Sequence, residues 1–441
     1  MPTDSSIPNA ADLDQALAEA RSRYARRRPN SLRAFETAQR HMPGGNTRTV
    51  LYHGPFPLRI ESGERARIRD VDGIEYLNLL GEFTAGIFGH SHPTIHRAIK
   101  EALDLGINLS GHTRAEIDLA ELIRGRFPSL ELLRFTNSGT EANLMAVTAA
   151  RIATKRATVM VFSGGYHGSV FYFGGGGSPV NAPFPYIVAR YNDLEGARAI
   201  LRERGSDIAC VLVEPMIGSG GCIPATPEFL LMLREETESC GAALIFDEVM
   251  TSRLSYGGAQ QLFGVTPDMT TLGKYLGGGM SFGAFGGATR FMSMFDPRAE
   301  GALPHAGTFN NNALTMAAGR AALSEVLTQQ VLSDLNQRGD GLRRRLNRIF
   351  AETGANFNAT GMGSLINIHP TNEELVHQEQ VAGLDDRMRE LLFLDLLESG
   401  FYIARRGFIA LNIEIRDDEI SQFGNCIAAF VDKYSYLIAN E

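Results

Sequence analysis

The chain has 441 residues, 44% of them hydrophobic and 21% charged, with a formal net charge of -8. That length and apolar content can bury a large core and suit one large domain with a smaller one. The acidic balance argues against a nucleic-acid partner, whose phosphates demand clustered positive charge, and no apolar run is long enough for a membrane span.

From the N-terminus, Met1 to Ala20 is polar and acidic, without the apolar stretch of a secretory leader. Cys210, Cys222, Cys240 and Cys426 form no C-x-x-C pair. Free thiols and no leader make the cytoplasm the expected location. Asp12 to about Arg40 has the composition of one helix, with Arg26, Arg27 and Arg28 on a solvated face, and Pro43-Gly44-Gly45 ends it. Alternating stretches at Pro57–Glu61, Ala66–Asp70 and Glu75–Leu79, with a turn at Asp72-Gly73, predict a small antiparallel sheet.

The middle of the chain changes period. Short apolar runs at Leu132–Phe135, Val159–Phe162, Cys210–Val213, Ala243–Phe246 and Thr270–Leu272 alternate with helical patterns such as Glu141–Arg156, Leu194–Arg204 and Pro227–Cys240. Strands alternating with helices mean βαβ units and a mainly parallel sheet covered on both faces. A helix follows at Leu332–Gly354, then mixed strands and a last helix at Asp418–Ile438. No internal repeat is visible. The 47 glycines cluster after the apolar runs, where backbone turns around an anion or cofactor, and the run Gly174–Gly177 predicts a mobile loop.

Four stretches carry chemistry. The run ending at Phe246 delivers Asp247 and Glu248 at a strand's carboxyl end, where ligands bind in open α/β sheets. A carboxylate there serves as a metal ligand, a ribose contact or the partner of a cationic cofactor atom. Thr270–Gly273 leads into Lys274 and then Gly277-Gly278-Gly279. A lysine set between apolar and glycine residues is desolvated, which lowers its pKa and suits it to Schiff-base chemistry. In Phe135–Asn143, Ser138, Gly139 and Thr140 sit where a strand passes into a helix, as an anion site or as a plain N-cap; no G-K-[ST] makes it a Walker motif. In Ser163–Gly168, Tyr166 either lies on a planar ring or packs with His167 in a loop.

In this order and spacing, Ser-Gly-Thr, Tyr-His-Gly, Asp-Glu-Val and a lysine 27 residues after the aspartate, the chain resembles the class III, ω-type aminotransferases from about Arg33 onward. The resemblance implies an α/β chain of fold type I: a mainly parallel seven-stranded sheet with helices on both faces and a smaller α+β domain. It divides the chain into an N-terminal segment 1–75 contributing to the small domain, a large cofactor-binding domain 76–325 and a C-terminal small domain 326–441. It implies pyridoxal 5'-phosphate held on Lys274 as a Schiff base, the freed lysine then moving protons. Asp247 would pair with the pyridinium nitrogen, and Ser138, Gly139 and Thr140 would receive the phosphate. Tyr166 and Val249 would cover the ring faces. His167 and Glu214, before Pro215, would support the cofactor. Thr308 would reach the phosphate from the neighbouring subunit, hence a homodimer with shared sites.

Many members continue D-E-V-Q-T-G-F-G-R-T-G after the aspartate; here the run is Asp247-Glu248-Val249-Met250-Thr251-Ser252-Arg253. That variant is similar to glutamate-1-semialdehyde aminomutases and to aminotransferases of aromatic β-amino acids such as β-phenylalanine. The phrases Phe135–Met145, Gly278–Gly287 and Gly307–Asn312 are most similar to the second set. Transfer from a β-amino acid to 2-oxoglutarate or pyruvate requires reading two carboxylates at different distances, and arginine is the bidentate reader. The resemblance assigns this to Arg48 and Arg406, with Arg405 an alternative to the latter, and places Glu82, Phe83, Thr84 and Ala85 along the pocket. The competing expectation is a glutamate-1-semialdehyde-type 2,1-aminomutase, which needs no external acceptor.

Overall fold

In the computed structural model the described residues are 10–438; the first nine residues of the segment searched for a leader, and the ends of the two terminal domain ranges, lie outside them. Seven strands form the central sheet, in the order Leu132–Thr136, Gly283–Gly287, Met269–Gly273, Ala243–Asp247, Ile208–Val213, Thr158–Phe162, Tyr186–Ala189. Only Gly283–Gly287 runs antiparallel to its neighbours. The other pairings are parallel.

Side-chain alternation explains why the strands read as unbroken apolar runs. Val159, Val161, Cys210, Leu212, Ala243 and Ile245 pack on one face against Ala142, Ala146, Ala149 and Ala150 of the helix Gly139–Thr154. Their neighbours Met160, Phe162, Val211, Val213, Leu244 and Phe246 pack on the other face against the helices Leu194–Arg204 and Pro227–Cys240. With both faces covered, consecutive positions along the middle of these three strands are apolar. Asp193 and Thr226 start the latter helices by accepting from Gly196 and Phe229 backbone N–H groups, the second with proline in its first turn.

The predicted small sheet is present as Ile60–Glu64, Arg67–Asp70 and Glu75–Asn78, and the C-terminal strand Phe401–Tyr402 joins it parallel to the third strand. A three-stranded sheet of Asn358–Met362, Leu365–His369 and Phe408–Ala410 packs nearby, with the long helix Gln329–Thr353 against its first strand.

Two expectations at the N-terminus need correction. The single helix is two, Ala10–Arg27 and Pro29–Gln39, because the residue before a proline is driven out of the α region; Arg28 takes φ -130, ψ 53. Arg28 is not solvated: it is fully buried, donating to Tyr76 Oη at 3.0 Å and to Glu398 Oε1 at 2.5 Å, with its guanidinium 4.4 Å from the Tyr24 ring centre. The Gly174–Gly177 run forms a short 3-10 turn over Gly174–Gly176. No helix of the described residues is long and apolar enough to cross a membrane.

Candidate active site

Asp247 and Lys274 end adjacent parallel strands, with Asp247 opposite Thr271. Strand pairing thus brings into one crevice residues that lie 27 positions apart in sequence. Lys274 leaves its strand through a left-handed backbone, φ 57, unusual for a side-chain-bearing residue. Burial pushes its amine down to about 8, against the charges of Asp247 and Glu214, which hold it up; Arg406 and Arg253 push it further down. Among the described residues no hydrogen bond or ion pair engages the amine.

Asp247 is fixed on both oxygens. Its Oδ2 accepts from Asn143 Nδ2 and His167 Nδ1, each at 2.8 Å, and its Oδ1 accepts from the Val249 N–H at 3.0 Å. Thr271 Oγ1 donates to Asn143 Oδ1 at 2.6 Å, which orients the amide. Glu248 turns the other way. It is buried and accepts from the N–H groups of Ala259 and Gln260, from Gln260 Nε2 and from Thr251 Oγ1, securing the start of the helix Gly258–Phe263. Of the two carboxylates at this strand end, only Asp247 joins Lys274.

The helix Gly139–Thr154 points its N-terminus at the same crevice. Ser138 is its N-cap, Oγ accepting from the Glu141 N–H at 3.2 Å, so the plain capping role is realised. A Cβ on Gly139 would lie 2.7 Å from Val249 Cγ2, and one on Gly168 would lie 2.2 Å from Thr140 Oγ1. Glycine at both places lets the strand end and the Tyr166–Gly168 loop close around the helix start. Exposed backbone N–H groups and the helix dipole make that start a site for an anion.

Glu214 lies across from Asp247. Its Oε1 accepts from the Tyr166 N–H at 2.9 Å and its Oε2 from the Gly218 N–H at 3.1 Å. Burial raises it to about 7; His167 opposes that rise and Asp247 adds to it. The bond to Tyr166 holds the loop that presents the tyrosine ring, 46% exposed, over the crevice.

The two expected arginines are placed differently. Arg406 is half-buried, its guanidinium 5.2 Å from the Phe83 ring centre and 5.6 Å from that of Phe408, two rings stacked at 18°. Its Nε is buried without a partner. Burial pushes its pKa down, and Cys222, Tyr172, Glu214 and Tyr166 counter this. Arg405 points away, to Asp386 at 2.6 Å and Glu390 at 3.0 Å. Arg48 is exposed, within electrostatic reach of Tyr166 and Tyr402. Thr308 is exposed in a recess of about 300 Å³ lined also by Ile107, Leu109, Thr113 and Phe309.

Three features escaped sequence reasoning. Asn143 was part of a motif but carried no role; its signal is its place one turn into the helix, facing Asp247. Arg253 is completely buried, spanning Ser364 Oγ and the carbonyls of Thr84 and Leu411, and burial lowers it to about 10. Finally, Gly81, Glu82, Phe83 and Thr84 form a left-handed turn, with φ of 53, 48, 51 and 83. Each side-chain-bearing residue there costs about 1–2 kcal/mol, and only Gly81 hints at it in sequence.

The residues present fit pyridoxal phosphate: an amine free of hydrogen bonds, a fixed carboxylate for a cationic ring atom, a helix start walled by glycines for a phosphate, and a tyrosine ring at the opening. The family model for class III aminotransferases matches residues 51–428. The chain is 50% identical over 428 residues to the β-phenylalanine transaminase of Variovorax paradoxus, covering 97% of this chain and 98% of that protein. It is 37% identical over 411 residues to the glutamate-1-semialdehyde 2,1-aminomutase of Thermodesulfovibrio yellowstonii, covering 88% and 96%. A solved structure of a β-phenylalanine aminotransferase from Variovorax paradoxus superposes with a TM-score of 0.96 at 49% identity, covering 97% and 99%. The chain belongs to the class III aminotransferases, and its cofactor is pyridoxal 5'-phosphate.

Proposed function

We propose that the protein transfers the amino group of an aromatic β-amino acid, of the β-phenylalanine kind, to 2-oxoglutarate or pyruvate. The observation that carries the proposal is Arg406: a guanidinium laid on two stacked phenyl rings, its Nε buried and unpartnered, beside the crevice of Lys274. Such a pocket offers apolar surface to a phenyl group and a charge-assisted contact to a carboxylate. The identity to a β-phenylalanine transaminase, higher than to the aminomutase, supports the same substrate.

Lys274 would hold the cofactor, Asp247 its ring nitrogen, Ser138, Gly139 and Thr140 its phosphate, and Tyr166 and Val249 its faces, with His167 and Glu214 fixing Asp247 and the Tyr166 loop. The bound group supplies an electron sink for the carbon that gives up its proton. The chain's own part is proton management and orientation. With its amine lowered to about 8, Lys274 can take a proton from the amine-bearing substrate carbon and return it on the far side of the nitrogen. That 1,3 shift leaves the amino group behind when the keto acid departs. Arg48 would bind the carboxylate nearest the reacting carbon, the donor's β-carboxylate or the acceptor's α-carboxylate. Arg406 would bind the distal carboxylate of 2-oxoglutarate and swing aside for the phenyl group.

We further infer a homodimer in which Thr308 completes the partner's phosphate site. Its exposure together with Ile107, Leu109 and Phe309, 49–54% exposed, supports a covered face there. The division into 1–75, 76–325 and 326–441 is supported in outline by the sheet that joins the C-terminal strand Phe401–Tyr402 to the N-terminal strands, although that sheet runs three residues past the first boundary, to Asn78. A cytoplasmic location rests on the unpaired cysteines.

The test is a half-reaction. The yellow holoenzyme mixed with 3-amino-3-phenylpropanoate and no keto acid should bleach and release one aromatic β-keto acid per site. Bleaching only with an α-amino acid or with 4,5-diaminovalerate would remove the β-amino acid reading and leave the family assignment untouched.

A further inference from the structure

Asn78 is fully buried at the end of the strand Glu75–Asn78, and both ends of its amide bond to the left-handed turn or the residue before it. Its Oδ1 accepts from the N–H groups of Leu80 at 3.1 Å and Gly81 at 3.2 Å. Its Nδ2 donates to Glu82 Oε1 at 2.7 Å and to His90 Nε2 at 3.0 Å. Arg253 closes the other end of the turn through the Thr84 carbonyl at 3.4 Å. A Cβ on Gly86 would lie 2.0 Å from Glu82 Oε2, so the chain leaves room for the Glu82 carboxylate in this one place.

Three consecutive side-chain-bearing residues do not stay left-handed unless something holds them. What the turn achieves is the position of Phe83, stacked on Phe408 and beneath the Arg406 guanidinium. An arginine supported on ring faces keeps its edge N–H groups free for a planar anion. Relaxing the turn to the right-handed form would move Phe83 and leave Arg406 supported by Phe408 alone.

We propose that Asn78 is a positioning residue for acceptor choice: by latching the left-handed turn through Leu80, Gly81 and Glu82, it keeps Phe83 under Arg406 and so sets the preference for a dicarboxylate acceptor. This rests on the reading of Arg406 as the distal-carboxylate site. Asn78 reaches neither substrate nor cofactor; its effect passes through Phe83.

The experiment uses the holoenzyme, with KM and kcat for 2-oxoglutarate and pyruvate and calorimetric binding of glutarate, an unreactive dicarboxylate. Asn78→Asp keeps the acceptor for Leu80 and Gly81 but sets a second acceptor against Glu82. It should raise the KM for 2-oxoglutarate and the Kd for glutarate about tenfold, the size of one weakened charge-assisted contact, and leave the pyruvate constants within about twofold. Adding Glu82→Gln supplies the missing donor from the other side and should restore most of the loss, which a merely destabilised fold would not show. Phe83→Leu keeps the turn and removes the platform; it should weaken glutarate binding about as much as Asn78→Asp does, a readout that stands even if the Asn78 variant fails to fold. Arg406→Ala separates the two claims. If it weakens 2-oxoglutarate relative to pyruvate while Asn78→Asp affects both acceptors alike, or Phe83→Leu leaves glutarate binding unchanged, or the double variant restores nothing, the latch is wrong and the Arg406 reading stands. If Arg406→Ala leaves the ratio unchanged, both fall.

Discussion

Replacing Glu214 by glutamine should destabilise the protein in acid and leave it equal or more stable in mild base. Burial raises this carboxyl to about 7 in the folded protein, from an ordinary value of 4.5. Between those values the folded chain binds the proton and the unfolded chain releases it, so wild-type stability falls as pH rises from 4.5 and levels off above 7. At about 1.36 kcal/mol per tenfold change in proton affinity, the loss totals about 3 kcal/mol. Glutamine does not titrate and escapes it. It also offers one acceptor where glutamate offers two, so either the Tyr166 or the Gly218 N–H is stranded, at a cost of about 1–3 kcal/mol at every pH. The variant should therefore be less stable than wild type at pH 5 and equal or more stable at pH 8. Urea unfolding of cofactor-free protein at fixed concentration across that range measures the difference. A gap that stays constant from pH 5 to pH 8 would refute the claim that Glu214 is held protonated by burial.

Asn143→Ala removes one of three donors to Asp247 and strands the Thr271 hydroxyl; affinity of stripped enzyme for pyridoxal phosphate, followed by absorbance titration, should fall by about 1.5–3 kcal/mol, roughly tenfold to a hundredfold. Arg28→Met leaves Glu398 with Arg27 alone and should cost about 3 kcal/mol or more in thermal or urea unfolding; no change would show that Arg27, at 2.7 Å from Glu398, carries the pair unaided.

The strands that position the site were legible because burial on both faces leaves a continuous apolar run, as in Ala243–Asp247. Gly283–Gly287 was not read as a strand, since four of its five residues disfavour one. Its glycines answer to packing: a Cβ on Gly283 would lie 2.1 Å from the Ser138 carbonyl oxygen, and one on Gly286 2.5 Å from that of Leu132. Composition suggested a solvated Arg28 because nothing local reveals that Tyr76 and Glu398, far along the chain, close over it. Lys274 and Asp247 stood out from their own surroundings, whereas Arg48, Thr308 and the cofactor contacts of Ser138 and Tyr166 came from resemblance. The structure separates Arg405 from Arg406, sending the first to Asp386 and Glu390 and laying the second on Phe83 and Phe408. Beyond Gly81 the left-handed turn had no signature, because the side chains that bond it, Asn78 and Arg253, lie outside it.

Groups around Lys274 are drawn from nearly the full length of the chain, from Phe83 through Asn143, His167 and Glu214 to Arg406. The groups proposed to hold the cofactor, from Ser138 to Lys274, sit at separate strand ends of the central sheet, so a chain without that sheet has nothing to grip the cofactor with. A ligand that binds only the finished structure adds its binding free energy to that structure alone. Colour then becomes a certificate of assembly: chains that stall or swap segments within Ser138–Lys274 should emerge pale, and the yellow fraction of a preparation counts the molecules that completed that sheet.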